Sequence, residues 1–101
     1  MAALGYDKQP SSRLGLNTSF TLTTASQQTG TFGPQTYQVR VATSSAVTAC
    51  FFRIGDGSQT ATATDSVIGA NVVDYENVTP GQRCAVLGGS AAGTVTVTEM
   101  S

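Results

Sequence analysis

From residue 18 onward the chain repeats one motif, short stretches of alternating apolar and polar side chains separated by polar turns. Phe20, Leu22 and Thr24 alternate with Thr21 and Thr23, the two-residue period of a strand with one face buried. Over residues 36–43, Tyr37, Val39 and Val41 share one face, and Gln38, Arg40 and Ala42 the other. Residues 47–54 form the heaviest apolar segment, with Cys50, Phe52 and Ile54 opposite Ala49, Phe51 and Arg53. This predicts a central strand whose Phe51 is covered by a neighbouring subunit. Residues 72–77 place Val73 and Tyr75 opposite Val72, Asp74 and Glu76. Residues 83–87 and 94–100 supply the last two strands.

The separators are turn chemistry. Gln27 to Pro34 is a polar loop with two glycines and a proline, and Ser44-Ser45 a short turn. Gly55-Asp56-Gly57-Ser58 is an Asp-Gly turn. In Thr79-Pro80-Gly81-Gln82, proline presets φ and glycine supplies the positive φ that follows. Residues 59–66 hold no large side chain and read as an exposed loop or a weak edge strand, with Val67 and Ile68 anchoring its end. No helical period occurs anywhere. The expectation is an all-β fold, a small antiparallel β-sandwich or partly closed β-barrel of six to seven short strands. Parallel pairing would need crossovers for which the chain has no room.

Residues 1–17 follow a different rule. They are irregular, with a breaker cluster at Gln9-Pro10-Ser11-Ser12, and read as an N-terminal arm ahead of a single β domain over 18–101. The apolar members Leu4, Tyr6, Leu14 and Leu16 suit an arm ordered against a neighbour.

Composition narrows the function. Ala, Gly, Thr and Ser make up nearly half of the 101 residues, and only 11% are charged. Such side chains bury little apolar area, which predicts a thin core finished by contacts with partners. Five Lys+Arg against six Asp+Glu, a net charge of -1, argue against nucleic-acid binding and a polybasic membrane patch. No apolar run is long enough to cross a bilayer, and the first residues lack the order of charges of a secretory signal. Synthesis in a reducing cytoplasm is expected.

Candidate chemistry is sparse. With no His, a general base must come from six carboxylates or Lys8. Asp74 and Glu76 share a strand face, which reads as a solvated face before it reads as an acid/base pair. Asp56, Asp65 and Asp74 lack the spacing of a calcium loop. Cys50 and Cys84 lie in apolar runs without a companion His, and read as buried free thiols. No catalytic role, cofactor or metal is expected. Arg40 and Arg53 interrupt apolar strands and are expected to pair with carboxylates at a subunit boundary. A smooth, uncharged β domain suits wide, flat contacts. Tyr37, Phe51 and Tyr75 are the candidate anchors for them.

Five stretches carry a resemblance to known proteins: Arg53-Ile54-Gly55-Asp56-Gly57; Asp65 to Gly69; Val78-Thr79-Pro80-Gly81-Gln82; Ala85-Val86-Leu87; and Ala92-Gly93-Thr94-Val95-Thr96-Val97-Thr98-Glu99. In this order and spacing, over residues 46–101, the chain resembles small virion proteins of tailed bacteriophages, of the capsid decoration (cement) type. That resemblance implies an all-β homo-oligomer, a trimer for preference, bound to the major capsid protein on the outer surface of the shell. It carries over no catalytic residues. A head-fibre or tail attachment component of the same particle is the alternative within that class. A carbohydrate-binding sandwich, with Tyr6, Tyr37 and Tyr75 as a stacking surface, is the alternative outside it.

Overall fold

The alternating stretches become strands that bury one face each in a sandwich of two sheets. A computed structural model describes residues 14–100. Its strands are β1 (Leu14–Thr21), β2 (Gln27–Gln28), β3 (Gln38–Thr43), β4 (Cys50–Asp56), β5 (Ser66–Ile68), β6 (Val73–Asn77), β7 (Gln82–Gly88) and β8 (Thr94–Met100). One sheet has the order β1-β8-β3-β6 and the other β2-β7-β4-β5, and every pair is antiparallel. The two sheets are separate, so the sandwich expectation is met and closure into a barrel is not.

The core lies between the inner faces. Val39, Val41, Val95, Val97 and Phe20 of the first sheet meet Cys50, Phe52, Cys84 and Val86 of the second. Leu22, Phe32, Val47 and Val78 close its ends. Each buried valine contributes roughly 1.5–3 kcal/mol relative to an exposed one. The aliphatic members are mostly Val, the β-branched residue that suits a half-buried pleated surface.

Four differences from the expected elements have local causes. β1 begins at Leu14, inside the segment expected to be arm, because it finds a partner in the last strand: Leu14 is opposite Met100 and Thr21 opposite Thr94. Between Leu14 and Asn17 one extra residue forms a bulge. Residues 27–28, expected to be loop, form the two-residue β2 beside β7. Tyr37 does not share the buried face of Val39 and Val41. The strand starts one residue later, and Tyr37 is exposed. The fourth is the inward turn of the Asp74–Glu76 face, described with the site.

Two glycines permit the crossovers. A Cβ on Gly88 would lie 2.6 Å from the Ser90 carbonyl and 3.0 Å from Leu22, where the chain passes from the first sheet to the second. Gly93 has φ +85°, and a Cβ there would lie 2.5 Å from Val47.

Candidate interaction surface

The outer face of the first sheet is assembled by register alone. Directly opposed residues in an antiparallel sheet lie on one face, so Tyr75, Arg40, Thr98 and Asn17 form a row across all four strands. Val73, Ala42, Thr96 and Ser19 form the next row. Tyr75 is 51% exposed and Val73 48%. Hydroxyls knit the remainder: Thr98 donates to Asn17 Oδ1 at 2.6 Å, and the Ser19 and Thr96 hydroxyls lie 3.1 Å apart. Arg40 is the one charged side chain in these two rows. The result is a flat polar floor of small residues with an aromatic and an aliphatic side chain standing at its β6 side.

The outer face of the second sheet is built differently. There Val67, Phe51 and Leu87 align across β5, β4 and β7, and Arg53, Ala85 and Gln28 across β4, β7 and β2. The loop over 57–65 folds back onto this face. Gln59 donates its main-chain N–H to Gln28 Oε1 at 3.0 Å and its side-chain amide to the Asp56 carbonyl at 2.7 Å. Ala61 N–H donates to Ser26 Oγ at 2.9 Å. Ala85, although outward-pointing, is completely buried, and Ala61 is buried with it. The segment expected to be an exposed loop or weak edge strand is a loop, exposed at Thr60 and from Thr62 to Thr64, that lies against the sheet at Gln59 and Ala61 as a partial third layer, and its lack of large side chains is what lets it come close.

Arg53 finds its carboxylate inside the chain, where a subunit boundary had been expected. Its Nε lies 3.4 Å from Asp65 Oδ1, at the end of that loop. Asp65 in turn accepts the Thr62 N–H at 2.8 Å. The pair is half-exposed and adds less than about 1 kcal/mol.

Asp74 and Glu76 do not form a solvated outer face. Val73 and Tyr75 point outward, so the two carboxylates turn to the inner side of β6, where both are half-buried. Glu76 borders an open groove of about 410 Å³ between the sheets, with Phe52 and Ile54 on its floor and Arg53, Asp65 and Gln82 around it. Burial first, then the hydrogen bond and the like charge of Asp74, raise the Glu76 carboxyl above its ordinary range. Asp74 also accepts the Tyr75 N–H at 3.0 Å.

Cys50 and Cys84 are free and buried on the inner face of the second sheet. Burial pushes the Cys50 thiol up to about 11. Burial, with smaller contributions from Cys50 and Glu76, pushes Cys84 up to about 12. Both are neutral core side chains at physiological pH, without the depressed pKa that a nucleophile requires. Among the described residues no group of three or more acidic, cysteine or histidine side chains is placed to hold a metal ion.

The predicted contact residues thus fall on different parts of the molecule. Arg40 and Tyr75 are direct cross-strand neighbours on the outer face of the first sheet. Phe51 and Arg53 lie on the opposite side of the sandwich, Phe51 half-buried. Tyr37 is exposed beside β6, its carbonyl accepting the Val78 N–H at 3.0 Å. Leu16 is 67% exposed at the β1 bulge. Leu14 belongs to β1, and Leu4 and Tyr6 lie outside the described residues. Val73 shares the exposed face of Tyr75, as the alternation predicts. Val67, expected with Ile68 to anchor the end of the 59–66 segment, is instead exposed on the outer side of β5, and Ile68 alone packs against the core.

No family model, no characterised protein and no solved structure matches this chain.

Proposed function

We propose that this chain is a structural virion protein, a capsid decoration protein that binds the outer surface of a major capsid shell and stabilises it as a homo-oligomer, trimeric for preference. The observation that carries the reading is the outer face of the first sheet, a flat, nearly uncharged four-strand floor with Tyr75 and Val73 standing exposed on it. Small hydroxyl side chains let a second surface approach closely. A single charge in the two rows limits repulsion between many identical copies, and an exposed aromatic is a suitable anchor. The family resemblance over residues 46–101 supplies the identity of the partner.

The test is copy number on purified particles, together with rebinding of the protein to capsids stripped of it. Decoration predicts hundreds of copies on the shell. Tyr75→Ser, a change at an exposed position, is expected to lower capsid occupancy at least about tenfold while leaving the urea midpoint unchanged. A few copies confined to one vertex would instead identify a head-fibre or tail attachment component.

A further inference from the structure

β4 passes into the covering loop through Gly55-Asp56-Gly57-Ser58, a turn with chemistry of its own. Gly89 N–H donates to Ala49 O, so the pairs that exchange bonds with β7 run through residues 49, 51, 53 and 55. The Asp56 carbonyl therefore turns away from β7. The side-chain amide of Gln59 donates to it at 2.7 Å, whereas Gly57 O lies 3.5 Å from the same nitrogen. Gln59 is itself held, its main-chain N–H bonded to Gln28 Oε1. A Cβ on Gly55 would lie 2.9 Å from this side-chain amide, so glycine at that position is what admits it. Gly57 has φ +71°, and it carries no Cβ to shield its nitrogen. Asp56 and Gly57 are both exposed.

An aspartate holds its Cγ within reach of the next main-chain nitrogen, and closure between them gives a small imide ring. The obstacle is the nitrogen, a poor nucleophile until it gives up its proton. The charge left behind is then shared with the carbonyl oxygen of the same peptide group, here Asp56 O. A donor already aimed at that oxygen stabilises the charge as it develops. The Gln59 amide is such a donor.

We propose that Asp56 is a self-modification site, at which the Gly57 nitrogen attacks the Asp56 Cγ, assisted by the Gln59 amide on the Asp56 carbonyl, and converts the residue to isoaspartate. In the first step the bond from nitrogen to Cγ forms and the bond from Cγ to its hydroxyl breaks. The hydroxyl leaves with the proton of the nitrogen as water. Water then opens the imide. Breaking the bond from nitrogen to Cγ restores aspartate, while breaking the bond from nitrogen to the Asp56 main-chain carbonyl carbon leaves Gly57 attached through the side chain. The mass is unchanged and no oxidant or reductant takes part. The main chain now runs through the Asp56 Cβ, beyond the last β4 pair with Gln82, and the former main-chain carbonyl becomes a free carboxylate. Gln59 loses its acceptor in place, and the layer over Ala85 loosens. The inference is independent of the capsid reading, because it concerns slow chemistry within one chain.

Peptide mapping tests it on the full folded chain, incubated without denaturant and digested, with fragmentation that separates isoaspartate from aspartate. Isoaspartate is expected to accumulate at residue 56, with Asp65 and Asp74 in the same digest as references that stay unconverted. Gln59→Met, which keeps the length of the side chain and removes the donor, is expected to slow the conversion about fivefold, the worth of one hydrogen bond. No isoaspartate at residue 56, or conversion that occurs only in urea, overturns the proposal. So does a rate that is unchanged or higher in Gln59→Met, which would mean that Gln59 only stiffens the turn.

Discussion

The two outer faces of the sandwich are made from the same small residues and put them to opposite uses. On the first sheet, Thr96, Ser19 and Ala42 floor a surface left open, with Tyr75 and Val73 standing above it. On the second sheet, Ala85 and Gly55 make room for the 57–65 loop, whose own Gln59 and Ala61 complete the burial. Small side chains are therefore not a sign of weak structure in this chain. They permit close approach. Whether the approaching layer belongs to the chain itself is decided by the length of the β4–β5 connection on one face and by the absence of any such connection over the described part of the other.

The sharpest way to break this comparison is to place a charge on each face. Ala85→Glu forces a carboxylate under the loop, and is expected to cost about 3 kcal/mol or more through overpacking and an unpaired buried charge. Thr96→Glu, in the corresponding layer of the open face, is expected to cost less than about 1 kcal/mol. Urea denaturation of the two variants measures the difference, and equal losses would mean that the loop does not seal its face. A smaller effect isolates one fastening of that loop. Ser26→Ala removes the acceptor of the Ala61 N–H and should cost about 1 kcal/mol, with earlier proteolytic nicking between residues 57 and 65.

A third measurement separates the two sides of β6, whose outer side carries Tyr75. Because the Glu76 carboxyl is raised in the folded chain, the native state binds its proton more tightly than the unfolded chain does. Its contribution to stability is therefore present on the acid side of that titration and is lost as pH rises through it. Glu76→Gln is expected to flatten this fall in the urea midpoint without affecting the outer face. An unchanged pH profile would show that the Glu76 carboxyl is not raised in the folded chain.

Much of the fold was legible because alternation is a local signal. Val39 and Val41, and Cys50 and Phe52, are each grouped on one strand face by period alone, and all four are buried. Tyr37 broke the rule because the period says which residues share a face only while the strand lasts, and the strand begins after it. The Asp74–Glu76 face was misjudged for a different reason. Alternation divides β6 into two sets but does not say which set faces the second sheet, and the charges suggested the wrong one. The row joining Tyr75, Arg40, Thr98 and Asn17 was beyond reach, since it depends on the registers of three strand pairs between distant parts of the chain.

By itself the sequence determined an antiparallel all-β chain with a valine-rich core, buried thiols, few charges and turns where Gly, Pro and Asp require them. Those are consequences of side-chain period and backbone stereochemistry, which act over a few residues. Only the tertiary structure decided that the strands form two sheets of four, that the 59–66 segment is a covering layer, and that Arg40 and Tyr75 meet while Phe51 and Arg53 lie on the far side. These outcomes depend on which strands pair and in what register, and long-range pairing is selected by burial of the whole core, to which no single segment holds the key.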